Sequence, residues 1–164
     1  MTERQYAEWI AAYARQHTED RRAVVDFARA APEGSWTLPA GEGGWTRKDV
    51  LAHLAGGNDR MVQTVFLAAI EGRALAPSDL EPDTDADNAR GVAERRNWSV
   101  ERLIDELERD GEELLDILAR LSEDHRDVRP AGASWTLGDL ALLITNERHD
   151  LEHLRQIDQA ASGS

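Results

Sequence analysis

WTLGDLALLITNERHDLEHLRQI, residues Trp135 to Ile157, reads as one amphipathic helix with a defined start. Thr136 can cap it, Asp139 three residues on completes a capping box, and Trp135 before the cap can staple onto Leu140. Leu140, Leu143, Ile144, Leu151 and Leu154 recur at helical spacing and form a packing stripe, while Thr145, Arg148, Glu152 and Arg155 form a solvated one. His149 and His153 lie on neither stripe and flank a second inward sector with Leu142, Asn146 and Ile157. Four residues apart on a helix means one face, one turn apart, so both imidazoles can reach one cation. No Glu follows the first histidine, so the pair lacks the metalloprotease signature. Two hydrogen-bonded core histidines would give the same spacing, and the rest of the chain must decide.

The same start signal recurs upstream. Thr46 with Asp49 forms a box, Trp45 staples onto Val50, and a helix is expected from Thr46 to about Glu71. His53 lies two turns in, on the side of Gly56, Gly57 and Arg60. Adjacent glycines inside a helix cost about 1 kcal/mol each relative to alanine. Here they serve either close helix packing or room for a ligand beside His53. A first helix is expected from Glu3 to Ala31, with Thr2 and Gln5 as its box and a stripe through Tyr6, Ile10, Tyr13, Val24, Phe27 and Ala28. The polar window from His17 to Arg22 reads as a break, with His17 in solvent. A third helix starts after the cap Ser99 and carries Val100, Leu103, Leu107, Gly111, Leu114, Leu118 and Leu121 as core, and His125 falls in the exposed loop beyond it.

Residues 72–98 read as a long connection. Asp83, Asp85, Asp87 and Glu94 fall on EF-hand positions, but Asn88 replaces the required glycine and Pro82 opposes an entering helix. A solvated acidic loop leading into a short helix is therefore expected rather than a calcium loop.

PAGEGGWTRKDVL before the second helix echoes PAGASWTLGDLA before the last one, which suggests two similar helical hairpins. Few β-branched residues and much Ala, Leu, Glu, Asp and Arg give an all-α fold, and two hairpins can close into a four-helix bundle. His53 lies eight residues past Trp45, and His149 and His153 fourteen and eighteen past Trp135. If these two helices run antiparallel, His53 sits between the other two histidines in height. The second and third helices are then parallel, and the chain must return roughly 36 Å, the length of such a helix at about 1.5 Å per residue. The connection at 72–98 is long enough, so the expected order is up-down-down-up.

The chain of 164 residues suits one domain, expected over residues 1–160 with a disordered tail at 161–164. Without cysteine there is no disulfide, no thiolate metal site and no cysteine nucleophile, and any metal must be held by His, Asp or Glu. A net charge of −13 opposes binding to nucleic acid and to anionic membranes. The charged N-terminus lacks the apolar run of a signal peptide and no segment reaches membrane-spanning length, so a cytoplasmic protein is expected.

WTRKDVLAHL on the second helix, together with HDLEHLRQI on the last, resembles the DinB-like superfamily of metal-dependent four-helix bundles. PAGEGGWTxxDxxAHL and the middle segment DNARGVAERRNWS are most similar to its mycothiol-dependent maleylpyruvate isomerase branch. The resemblance implies an up-down-down-up bundle and a divalent metal on three histidines, which by motif are His53, His149 and His153. It does not imply DNA binding. The isomerases carry a further C-terminal domain beyond the span of these residues, so the expectation is the general chemistry rather than that one reaction.

Three neutral imidazoles leave positions open on a cation, as in a catalytic rather than a structural site. Water there would be acidified, or an external low-molecular-weight thiol such as mycothiol would bind as thiolate and become the nucleophile. Zinc, nickel and iron all suit such a site. Thiol-dependent transfer or isomerisation on a small electrophile is the expected activity. The alternatives are a metal-dependent hydrolase, a non-catalytic small-molecule binding or resistance protein, or a plain bundle with core histidines. Arg60 could hold an anionic group of the substrate, Asn58 or Asn146 could orient water or ligand, and Glu147 or Asp150 could fix an imidazole tautomer. A homodimer is the protein partnership left open.

Overall fold

The computed structural model describes residues 4–40, 43–80 and 84–162. Thr2, Asp83, the last two residues of the expected tail and the side chain of Asn58 lie outside the described residues. The described chain is all-α, with one isolated bridge between Pro39 and Thr46 beside its helices. The helices are α1 (Glu8–Ala30), α2 (Arg47–Gly56), α3 (Asn58–Glu71), α4 (Pro77–Leu80), α5 (Thr84–Arg95), α6 (Val100–Leu118), α7 (Leu137–Glu147) and α8 (His149–Ser162). α1 packs against α6, α7 and α8; α6 also packs against α2 and α3, and α2 against α5 and α8. None of the described helices is long and apolar enough to cross a membrane.

The helix starts follow local chemistry. Thr46 Oγ1 accepts from Asp49 N–H at 3.2 Å while the Asp49 carboxylate accepts from Thr46 N–H at 2.9 Å, and Thr136 with Asp139 repeats both bonds. Ser99 caps α6 by accepting from Arg102 N–H. Trp45 packs against the cluster that holds Val50, Trp98 against the one that holds Leu103, and Trp135 joins the same cluster as Leu140. Thr46→Ala and Thr136→Ala are each expected to cost about 1 kcal/mol. Urea unfolding should show this as a lower midpoint with an unchanged slope, because the surface exposed on unfolding is the same.

Several expectations need correction. The second and fourth helices are each broken. Gly57 ends α2 at φ −109°, ψ −101°, and Arg148 separates α7 from α8 in the left-handed region at φ 47°, ψ 51°. A residue with a side chain pays roughly 1–2 kcal/mol there. Arg148 is held in place by the Asp20 carboxylate, which accepts from both its Nε and its Nη2. On α7, before the break, Leu137, Ala141 and Ile144 form the buried face, so Leu142 and Leu143 are 64% and 54% exposed and Asn146 is exposed as well. Ile157, beyond the break, is fully buried as expected.

Second, α1 starts at Glu8 behind Ala7, without a side-chain cap, and Gln5 precedes it. Third, α1 runs unbroken through the window at 17–22, and His17 is only 7% exposed. Buried carboxylates on other helices receive His17 and Arg21, while Thr18 and Arg22 find partners within α1. Fourth, much of the connection at 72–98 is helical, and α5 packs on α2. Asp85, Asp87 and Glu94 stand on α5, whose helical backbone cannot wrap a cation as an EF-hand loop does. α8 continues to Ser162, into the segment expected as a tail.

Candidate metal centre

α2 carries His53, and α8 carries His149 on its first turn and His153 one turn on. Because α2 packs against α8, the three rings meet. One ring nitrogen from each can be chosen so that all lie within 4.8 Å of one another. His53 Nε2 and His153 Nε2 face each other at 3.1 Å. The ring centroid of His149 lies 5.3 Å from that of His53 and 4.5 Å from that of His153. Trp45, the stapling residue ahead of α2, packs against His53 with the rings tilted at 43° and 5.3 Å between centroids.

The environment favours neutral imidazoles. Burial, reinforced by the two neighbouring histidines, pushes His53 down from 6.5 to about 3. Burial and then His149 lower His153 too, against a hydrogen bond to Gln156 that raises it. Gln156 Oε1 accepts from His153 Nδ1 at 2.9 Å. That fixes the proton on Nδ1 and leaves the Nε2 lone pair directed at His53. Neutral His53 and His153, with a ring nitrogen of His149 close to theirs and a cavity on one side, suit a divalent cation. The residues fit the group, and the triad could hold a metal ion.

A cavity of about 500 Å³ opens against His53 and His149, with Gly56, Gly57, Met61 and Gly91 on its wall. The paired glycines lie at a close helix contact and at the edge of the cavity. A Cβ on Gly56 would stand 2.5 Å from Nη1 of the buried Arg95, and one on Gly57 would stand 2.9 Å from His53 O. So Gly56 lets α2 approach α5, and both glycines also border the cavity. Gly56→Ala gains about 1 kcal/mol of helix propensity, but it drives a methyl group into the Arg95 guanidinium. We expect a net loss of about 1–2 kcal/mol in thermal or urea unfolding, since overpacking a tight contact outweighs propensity.

The other expected site residues are placed unevenly. Arg60 lines the cavity, but its guanidinium is engaged by Glu106 at 2.5 Å and Asp110 at 3.4 Å. Glu147 lines the cavity as well. Asn146 borders a separate shallow groove with Arg15, Gln16 and Glu19.

The sequence reading missed a buried chain of charge behind the triad. Arg21 donates from Nη2 to Asp59 at 2.8 Å, from Nε to Asp150 at 2.7 Å and from Nη1 to Leu107 O at 2.9 Å. His17 Nε2 meets the Asp59 carboxylate at 3.1 and 3.2 Å. Burial works against ionised Asp150, but the Arg21 guanidinium and its other partners overcome this and hold the carboxyl below the usual carboxylate range. The signal was present. Tyr13, His17, Arg21, Val24 and Ala28 keep the spacing of the inward stripe, so His17 and Arg21 occupy core positions rather than interrupting them.

Comparison with known proteins agrees with this geometry. No curated protein and no solved structure matches the chain. The profile of the mycothiol maleylpyruvate isomerase N-terminal domain matches residues 17–152, from the buried His17 to the first turn of α8. That span is most of the chain and takes in His53, His149 and both capping boxes, and the chain therefore belongs to the mycothiol maleylpyruvate isomerase N-terminal domain family.

Proposed function

We propose that this protein is a divalent-metal-dependent enzyme of the DinB-like kind that uses a low-molecular-weight thiol, mycothiol or a relative, in transfer to or isomerisation of a small electrophile. The observation that carries this reading is the convergence of His53, His149 and His153 at the edge of a cavity. We further read residues 1–160 as one domain with its four long helical units in up-down-down-up order. That order accounts for the meeting of α2 with α8.

A bound cation would supply Lewis acidity and stabilise a thiolate at neutral pH. The protein's own residues do the rest. Burial keeps His53 unprotonated and so available as a ligand. Gln156 orients His153. The cavity is large enough for a small electrophile beside the triad, with Thr64 and Asn88 on its wall as hydrogen-bonding groups. Arg60 is the expected anion-holding residue that reaches this cavity, and it would do so as the outer member of its pair with Glu106 and Asp110. Asn146 lines another groove.

The test is metal content by elemental mass spectrometry on protein made without a histidine tag or chelator, followed by thiol-transfer assays with model electrophiles. About one metal per chain with thiol-dependent turnover is the expected result. Metal without turnover would make the protein a small-molecule binder. Failure to take up zinc, nickel or iron would remove the metal-dependent reading.

A further inference from the structure

Asp150 lies one residue past His149, and its two carboxylate oxygens face opposite ways. Oδ2 accepts from Arg21 Nε at 2.7 Å, and Oδ1 faces His149 Nδ1 at 3.6 Å. His149 Nδ1 is buried and has no hydrogen-bond partner within reach. A buried ring nitrogen left unpaired costs about 1–3 kcal/mol, so a small ring rotation that closes the gap is favoured. Arg21 does not move to meet it, because Asp59 and Leu107 O hold its other nitrogens, and Asp59 is itself held by His17.

From this geometry we infer that Asp150 is a positioning residue for the metal centre. It accepts the Nδ1 proton of His149, fixes that tautomer and turns the Nε2 lone pair toward His53 and His153, while the buried chain Arg21–Asp59–His17 anchors it. The inference rests on the metal reading proposed above. His153 is oriented in the same way by Gln156, so two of the three rings would have a dedicated acceptor on Nδ1. The anchor also spans α1, α3 and α8, so the ligand geometry is set by the packing of the helices rather than by one loop.

The test compares Asp150→Asn with Asp59→Asn, measuring zinc affinity by competition with a chromophoric chelator and thermal stability in its absence of metal. Both substitutions replace a carboxylate that accepts from two sides by an amide that cannot, so both should lower the melting temperature of the metal-free protein. Only Asp150→Asn touches His149, and it should weaken zinc binding about 10–100-fold. Asp59→Asn loosens only the anchor of Arg21 and should weaken zinc binding clearly less than Asp150→Asn does. Equal affinity in Asp150→Asn and the parent, or equal losses in both variants, would overturn the inference. If Asp150→Asn does not fold, long-range proton–nitrogen correlation spectra of the unaltered protein decide. A proton on His149 Nδ1 is expected, and a proton on Nε2 would refute the assignment. Should the unaltered protein bind no zinc, the metal reading itself fails and this inference with it, a result distinct from either failure above.

Discussion

Arg21→Leu is expected to destabilise the protein by about 3–5 kcal/mol, a large share of the stability of a domain this size. Leucine fills much of the volume but removes the cation from between two buried carboxylates. Asp59 and Asp150 would then face each other's charge in a low-dielectric interior, and Leu107 O would lose its donor. The contrast is Arg22, one residue on, whose side chain is 82% exposed and pairs with Asp26 at 3.7 Å. Arg22→Leu should cost less than about 0.5 kcal/mol, because an exposed pair gains little in water. Urea unfolding of the two variants measures the difference directly. A loss under 1 kcal/mol in Arg21→Leu would mean that the buried carboxylates relax by taking up protons or water, and the chain would then not be a rigid anchor.

Much of this architecture was legible because it is local. Both threonine–aspartate boxes need only four residues to specify them, and the tryptophans ahead of them need one neighbour on the next turn. That His53 could meet His149 and His153 was legible in helix heights only on the premise of an antiparallel pair, and in the motif resemblance, which named the same three residues; the structure brings their ring nitrogens within 4.8 Å. What was not legible depends on partners far away in the chain. The break at Arg148 has no glycine or proline to announce it; Asp20, on α1, imposes the left-handed conformation. The break at Gly57 does have a signal, the paired glycines, whose close packing and position at the cavity edge accompany the break. His17 and Arg21 look like an interruption of an apolar stripe until Asp59 and Asp150 are brought against them. α5 has only Val92 and Arg95 buried, so its sequence resembles a solvated loop, and its helix depends on docking to α2.

Zinc added to the metal-free protein at about 100 times its dissociation constant is expected to stabilise the fold by about 2.7 kcal/mol, and His53→Ala should abolish that gain at the same zinc concentration. For a chain of this length the gain corresponds to a rise of roughly 5–11 °C in melting temperature. His53 is the informative ligand because it alone comes from α2, while His149 and His153 share α8. Without it the remaining pair has the spacing of any two histidines one turn apart, and binding by α8 alone would not tie two helices together. His53 is also buried against Trp45, so its replacement opens a small cavity and lowers stability without metal. The two effects separate cleanly, since cavity loss shifts both melting curves and ligand loss removes the difference between them. His125→Ala serves as the control, because His125 caps a turn with Ser122 far from the triad in the chain. A plain helical bundle predicts no zinc-dependent shift in any of these proteins. A full shift surviving in His53→Ala would place the ion on α8 alone and separate it from the cavity that α2 helps to line.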